Sequence, residues 1–234
     1  YERAAAARIS AAAGSSTPVH ERMVQFWANH FTVSAAKPAA VALPPSFERD
    51  VARAHAQGRF ADMLIASCRH PGMIIYLDNG LSVGPNSRAG RTGRGAPRLP
   101  GGGGSRARDI NENLAREVLE LHTMGVGSGY TQADVQALAA ILTGWTVDRP
   151  RLRDFLSDRV GERRGDALFA FADQLHEPGT HRLLGVDYAE DGERQGIAAL
   201  QGLARREETP RFLAIKQSRH SMADTPPAEV TARE

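Results

Sequence analysis

Apolar residues recur every three or four positions along most of this chain, the spacing that places them on one face of an α-helix. The segment after Thr17-Pro18 is typical, because threonine and proline suit the start of a helix and one apolar face follows. That face consists of Val19, Met23, Phe26, Trp27, His30 and Phe31. No run alternates apolar and polar residues as a half-buried strand does. The pattern predicts an all-α fold, a compact multi-helix array.

Glycine, proline and serine divide the chain into segments. Residues 1–16 are predicted to be the end of an Ala/Arg helix followed by a Gly-Ser break, and residues 17–234 a single helical domain. Within that domain, residues 86–108 are predicted to form a long flexible loop rich in glycine and arginine. Residues 101–105 read GGGGS, which is both a common engineered linker and a natural low-complexity sequence.

Two further helices begin at capping signals. INENLAREVLELHTMG is predicted to start after Asp109, with Leu114, Val118 and Leu121 on its buried stripe. The segment Thr131-Gln-Ala-Asp134 is a second capping box, and it precedes the apolar run DVQALAAILTGW. The last two helices are predicted from about residue 193 to 206 and from 209 onwards.

Charged side chains flank the buried stripe of the helix that follows Asp109. In one interpretation, Glu112, Arg116 and Glu120 form an exposed ladder of i, i+4 ion pairs. In the other, Glu117 and Glu120 form a half-buried carboxylate pair that binds a cation or moves a proton. Both interpretations remain open at this point.

Composition narrows the class of protein. Hydrophobic residues make up 41% of the chain and charged residues 24%, which are globular values, and the net charge is only +2. No apolar run reaches the roughly 18 to 20 residues of a membrane span. Cys68 is the single cysteine, so neither an internal disulfide nor a thiolate zinc site can form. The sequence contains no HExxH, GxSxG, Walker or Rossmann signature, and it predicts no particular metal or cofactor.

The candidate catalytic residues are Glu117, Glu120 and His30, acting as acid, base or metal ligands. The candidate substrate-binding residues are Asp78, Asn79, Asn86, Asn113, Arg116 and Trp27. Each also has a structural interpretation, since a lone histidine on an apolar face is commonly a core residue, and Asx residues beside glycine commonly form turns. In the same way, His176-Glu177 is a turn or a ligand pair. The predicted polar centre lies where the His30 helix meets the Glu117 helix near the Asp78-Asn79 turn.

Several blocks in a fixed order resemble a known family. They are ERMVQFWANHFTVS, GRFADMLIASCRHPGMIIYLDNGLSVGPNSRAGR, NENLAREVLELHTMGVGSGYTQADVQALAAILTGW, HEPGTHRLLG and FLAIKQSRHSMADTPP. Together, from about Val19 to Pro227, they resemble the bacterial family called domain of unknown function 1800. The strongest blocks fall on Trp27, Asn29, His30, Asp78, Asn79, Gly84, Asn86, Asn111, Glu112, Asn113, Arg116, Glu117, Glu120, His122, Gly129, Tyr130, Thr131, Gln132, Trp145 and His176.

The resemblance implies a helical, exported bacterial protein, periplasmic or extracellular, with no established reaction. It also implies a partner, because members are often encoded beside a secreted, sulfatase-like protein. The chain departs from the family pattern at Ala28, where many relatives carry histidine or serine, and in the inserted segment PRLPGGGGSRARDI. The family domain is longer at both ends, and the chain begins without methionine, so we interpret it as a fragment of a longer domain.

Two main hypotheses follow from the sequence. The first is an exported enzyme, a hydrolase, with a polar Glu/His site. The second is a non-catalytic helical binding or assembly partner of the secreted sulfatase-like protein. A further alternative is that the Arg-rich loop binds nucleic acid, although that loop has no aromatic residue on which a base could stack. An accessible pocket into which the candidate residues converge would favour the enzyme.

Overall fold

The computed structural model describes residues 2–92, 109–148 and 168–221. These parts are mostly helical, which confirms the predicted helical character. The α-helices are α1 (Glu2–Gly14), α2 (Pro18–His30), α3 (Pro44–Phe47), α4 (Phe60–Arg69), α5 (Pro71–Tyr76), α6 (Arg88–Thr92), α7 (Asn113–Glu117), α8 (Gln132–Ile141), α9 (Glu193–Ala204) and α10 (Glu208–Ser221). Single 3₁₀ turns lie at Pro38–Ala40, Asn79–Leu81 and Asp173–Leu175. None of the described helices is long and apolar enough to cross a bilayer.

Two small antiparallel sheets correct the prediction of a purely helical fold. Strand β1 (Trp145–Val147) pairs with β2 (Phe169–Phe171), and β3 (His181–Leu183) pairs with β4 (Val186–Tyr188). The second pair is a hairpin whose two turn residues, 184 and 185, both have positive φ, as the tightest hairpin turns require. Each strand has only three residues, which are too few to show a clear alternation of apolar and polar positions. The sequence pattern therefore does not predict these strands.

The predicted starts of α2 and α8 are correct. Helix α2 begins at Pro18, and α8 begins after Thr131, whose hydroxyl accepts the Asp134 N–H while the Asp134 carboxylate accepts the Thr131 N–H. The predicted cap at Asp109 is wrong, because α7 begins at Asn113 instead. There the side-chain oxygen of Asn111 accepts the Asn113 N–H at 2.8 Å, which satisfies one of the unpaired donors of the first turn.

The core lies between the central helices and β1. Helix α4 packs against α9, and α7 packs against α8, which also contacts β3 and α9. The largest fully buried side chains include Phe31, Leu64, Leu119 and Trp145. Val19 does not join this core, contrary to the predicted apolar face, because the exposed first turn of α2 projects beyond it.

Two π-helical segments continue ordinary helices: residues Glu48–Arg53 follow α3, and Val118–Thr123 follow α7. In the second segment the N–H of Met124 donates to the carbonyl of Leu119 at 3.0 Å, a bond between residues five apart. The wider turn rotates the following side chains relative to an α-helix. Leu119 is therefore buried and Leu121 is 43% exposed, which corrects the predicted burial of Leu121.

The segment predicted as a loop, residues 86–108, begins with ordered structure. Helix α6 covers Arg88–Thr92, and Ala89 packs in a small apolar cluster with Val83 and Leu175. Residues 93–108, including the GGGGS sequence, lie outside the described residues.

Candidate functional site

An ion-paired network covers the outer side of α7 and the start of α8. The Arg116 guanidinium lies 2.9 Å from Glu112 and 3.1 Å from Glu120, each four residues away, which confirms the predicted i, i+4 ladder. Gln132 closes the network, because its amide N–H groups donate to Glu112 and its oxygen accepts from Arg116 at 3.1 Å. These residues, together with Glu117 and Tyr130, are called the carboxylate face below.

Glu117 differs from the other acids of the carboxylate face. It is half-buried, and among the described residues it has no hydrogen-bond or ion-pair partner. Burial, and after it the charge of Glu120, raises the pKa of Glu117. Burial also raises the pKa of Tyr130, and the adjacent Glu120 carboxylate adds to that increase. The face thus places a half-buried carboxyl with a raised pKa beside a second carboxyl that Arg116 holds.

His30 is enclosed in the core beside the π-segment that follows α7. Its Nε2–H donates to the carbonyl of His122 at 3.0 Å, and its ring contacts Trp27, Phe31 and Phe212. Burial first, and the charge of Lys216 second, lowers the pKa of His30 to about 3. The imidazole is therefore neutral at ordinary pH.

His30 and the carboxylates lie on opposite sides of the π-segment. His122, whose carbonyl holds His30, is 2% exposed and faces the core, whereas Glu120 takes part in the outer ladder. Within the described residues, no hydrogen bond joins His30 to Glu117 or Glu120. The structure therefore brings His30 to the same helical segment as the two acids but not to the same surface.

The Asp78-Asn79 turn is held by contacts within the protein. Asp78 has a φ of +59°, and its carboxylate lies 2.6 Å from the ammonium of Lys37. The side chain of Asn79 is buried and donates to two main-chain carbonyls, those of Leu142 at 3.1 Å and Trp145 at 2.9 Å. The Asn79 amide thus fixes the junction between α8 and β1.

The start of α7 lies against this turn, as the sequence predicts. Asn111 donates from its side-chain amide to the carbonyls of Leu77 and Asp78 at 3.1 and 3.3 Å. Asn113 is exposed and makes one longer contact, 3.4 Å, to the Leu77 carbonyl. Asn113 is consequently the asparagine of this group that is available to an external molecule.

A second polar cluster surrounds Glu177. This carboxylate is 5% exposed and accepts from the main-chain N–H of Asn86 at 2.8 Å and from its side-chain amide at 2.5 Å. A Cβ added at Gly84 would lie 2.5 Å from the Glu177 carboxylate, so only glycine fits there. Asn86 and Glu177 thus clamp the chain before α6 to the region before β3. In the sequence, the contact between Asn86 and Glu177 is indicated only by the His-Glu-Pro-Gly segment, which predicts a turn or a ligand pair.

His176 belongs to the same cluster. Its Nδ1–H donates to the carbonyl of Thr143 at 3.0 Å, and its Nε2 lies 3.3 Å from Glu190 without hydrogen-bond geometry. Burial alone would raise the pKa of Glu190, but the N–H groups of Gly179 and Gly192 donate to it and lower that pKa. No sequence motif identified Glu190 as a partner of His176, since the pairing depends on the hairpin of β3 and β4.

The other candidate residues lie apart from both clusters. Trp27 is buried, and its indole N–H donates to the carbonyl of Ala56 at 3.3 Å.

A groove of about 1050 Å³ is lined by residues of α1, of α2 and of the segment 44–53. Its lining includes Ala28 and Asn29 but neither of the candidate acids, Glu117 and Glu120. Cys68 is buried, and burial raises the pKa of its thiol to about 12.

Across residues 2–92, 109–148 and 168–221, no three side chains of histidine, cysteine, aspartate or glutamate are grouped as a metal site requires. The structure therefore provides no support for a metal-binding role of Glu117, Glu120 and His30 as a set.

The family model for "Protein of unknown function (DUF1800)" matches residues 1–233, so the chain belongs to that family. No curated protein and no solved structure matches the chain.

Proposed function

We propose that this member of the family is a hydrolytic enzyme whose carboxylate face performs acid–base catalysis. One observation carries the proposal: Glu117 is half-buried and lacks a partner among the described residues, while the neighbouring Glu120 is held by Arg116. Two nearby carboxyl groups in different surroundings can divide the roles of acid and base between them.

Glu117 is the proposed general acid. Its raised pKa keeps a larger fraction of the side chain protonated near neutral pH, so that it can protonate the oxygen or nitrogen of a leaving group. Glu120 is the proposed base, because its carboxyl oxygen accepts a hydrogen bond from Arg116 at 3.1 Å and is thereby fixed next to Glu117. The Tyr130 hydroxyl lies beside Glu120 and would orient it.

The proposal assigns substrate contact to the accessible polar groups next to the two acids. Arg116 offers guanidinium donors at the surface, and Asn113 is exposed one turn away. His30, in contrast, supports the segment from the core side through its bond to the His122 carbonyl. We also propose that the protein is exported to the periplasm or to the extracellular space, as the family resemblance implies.

The test is a screen of the purified chain against chromogenic esters, glycosides and peptides between pH 4 and 9. We expect the activity of the wild type to have a bell-shaped dependence on pH. The Glu117→Gln variant should be inactive, because glutamine keeps the shape of glutamate and cannot donate a carboxyl proton. Glu120→Gln should be inactive as well, since it cannot accept a proton. The control is Glu207→Gln, which changes an exposed acid elsewhere and should keep full activity. Hydrolysis that is equal in wild type and both site variants would contradict the assignment.

A second candidate function is a non-catalytic partner of the secreted sulfatase-like protein. The observation that favours it is Leu121, which is 43% exposed on the segment that carries Glu120. In this proposal Leu121 would be the apolar centre of the contact, and the charged side chains of the carboxylate face would form its polar rim. Leu121→Ser should then abolish co-sedimentation with that protein, whereas Glu117→Gln should leave it unchanged. Nucleic-acid binding by the Arg-rich segment stays a further prediction, tested by gel retardation at low salt.

A further inference from the structure

The groove beside α1 contains no residue of the carboxylate face. It has a volume of about 1050 Å³, and it is called the α1 groove below. Ligand sites in proteins commonly enclose about 300–1000 Å³. The α1 groove therefore has room for a ligand of the size of a fatty acid.

The wall that α1 contributes to the groove is apolar and incompletely covered. It consists mainly of alanines such as Ala7 and Ala11, whose side chains are too short to fill the space between α1 and α2. Ile9 also lines the groove and is 70% exposed. Helix α1 has 13 residues, and an isolated helix of that length is only marginally stable in water. An apolar ligand in the groove would cover this wall and stabilise α1.

The floor of the α1 groove is apolar, and its rim is polar. Val33 and Phe47 line the groove and are buried, whereas Arg8 and Asn29 line it and are exposed. Among the described residues, Phe47 provides the one aromatic ring of the lining. The rest of the apolar lining is aliphatic, which suits a flexible hydrocarbon chain better than a stacked planar ring.

The charged lining of the α1 groove is mostly positive. It consists of three arginines and one acid, namely Arg8, Arg49, Arg53 and Glu48. The acids that pair with Arg49 and Arg53 are Asp50 and Glu21, which are buried and do not line the groove. The Arg8 Nε lies 2.9 Å from the Glu48 carboxylate, and the Arg8 side chain is 48% exposed. A guanidinium has five N–H donors, so Arg8 can hold Glu48 and bind a second anion.

We propose that the α1 groove binds a fatty acid. The hydrocarbon chain lies between the alanines of α1 and the floor at Val33 and Phe47, and the carboxylate accepts hydrogen bonds from Arg8 at the rim. Both parts of the ligand then meet matching surface, since the chain covers apolar side chains and the head group complements the excess of arginine. This binding site is independent of the proposed acid–base chemistry.

The test titrates the full chain at pH 8 with cis-parinaric acid, a fatty acid whose fluorescence increases in apolar surroundings. We expect a saturable increase with one site per chain. Dodecanoate should displace the probe, and dodecanol should do so at least about tenfold less well, because the alcohol has no charge to pair with Arg8. Dodecanoate should also raise the melting temperature.

Four variants locate the site. Arg8→Gln should weaken binding by about tenfold or more, whereas Glu48→Gln, which breaks the same ion pair but keeps the guanidinium, should bind at least as tightly as wild type. Ala11→Trp should abolish binding, because Ala11 is exposed and the larger side chain can enter the groove without displacing the core. Arg182→Gln is the matched control and should bind normally, since Arg182 pairs with Asp187 outside the groove.

Several results would overturn the proposal. They are the absence of a saturable signal, equal displacement by dodecanol and dodecanoate, and equal weakening in Arg8→Gln and Glu48→Gln, which would show that the ion pair merely holds α1 in place. A dimer in light scattering that dodecanoate does not dissociate would assign the groove to a second copy of the chain instead. Circular dichroism should give the wild-type helical spectrum for each variant.

Discussion

Replacing Asn79 by alanine should destabilise the fold strongly, although the sequence equally suggests a substrate-binding role for this residue. The Asn79 side chain is 2% exposed and donates two hydrogen bonds, to the carbonyls of Leu142 and Trp145. Each bond is worth about 1 kcal/mol net, and burial of the carbonyls that lose a donor adds to the cost. The Leu142 carbonyl also accepts from the Trp145 N–H at 3.3 Å, so its loss is only partial.

These contributions give an expected loss of about 2–3 kcal/mol in the free energy of unfolding. At about 2–4 °C per kcal/mol for a chain of this size, the melting temperature should fall by roughly 4 to 12 °C. Urea denaturation followed by tryptophan fluorescence measures the same quantity independently, since Trp145 lies at the site. Asn113→Ala is the matched control, because that side chain is exposed and makes a single 3.4 Å contact; its cost should stay within about 0.5 kcal/mol.

The Asn79→Asp variant distinguishes the contribution of the two hydrogen bonds to stability from the contribution of side-chain packing. Aspartate keeps the shape of asparagine but directs a carboxylate oxygen at two carbonyl oxygens, so at pH 7 it should cost more than alanine. Protonation at low pH restores one donor, and the deficit relative to wild type should shrink below pH 4. A loss under about 0.5 kcal/mol for Asn79→Ala, or a pH-independent deficit for Asn79→Asp, would refute the structural role.

Three further predictions concern other features of the structure. Glu117→Gln should raise stability at pH 7 and not at pH 4 in thermal melts, because the raised pKa of Glu117 means that its ionisation above pH 4.5 costs folding free energy. Gly196→Ala should cost about 1–3 kcal/mol, since the new Cβ would lie 2.6 Å from the ring of Trp145, whereas Gly14→Ala, with open space around it, should be neutral or stabilising. The lowered pKa of His30 predicts that wild-type stability falls as the pH decreases from 6.5 towards 3, by up to about 1.4 kcal/mol per pH unit; His30→Gln should flatten that slope in urea titrations.

Local signals predicted the parts of the fold that depend on neighbouring residues. The capping box of α8 involves residues three apart, and the ladder of Glu112, Arg116 and Glu120 involves residues four apart. The pairing of β1 with β2 joins Trp145 to Phe171, and neither three-residue strand carries a pattern of its own. Such pairings are determined by the packing of the whole chain, which a periodicity does not describe.

The candidate site was predictable in part for the same reason. The sequence identified Glu117 as the acid at the border of the buried stripe, and the structure leaves it half-buried. The two carbonyl partners of Asn79 lie 63 and 66 residues away, and the Glu177 partner of Asn86 lies 91 residues away. Through these contacts Asn79 and Asn86 connect distant parts of the chain, and no local spacing in the sequence predicts such contacts.

The π-segment after α7 explains why helical-wheel reasoning fails at one position of the site. A regular α-helix through Val118–Thr123 would place Leu121 on the stripe of Leu114, and it would turn Leu119 towards solvent. The wider turn of the π-helix exchanges the burial of the two leucines, so that Leu119 is buried and Leu121 is exposed. It also places His122 in the core, while Glu120 remains in the outer ion-pair ladder. A π-helix is rarer than an α-helix because its hydrogen bonds are less favourable, so burial of Leu119 and His122 must offset that cost. The same local distortion thus presents the acids at the surface and anchors the segment from beneath through the bond between His30 and the His122 carbonyl.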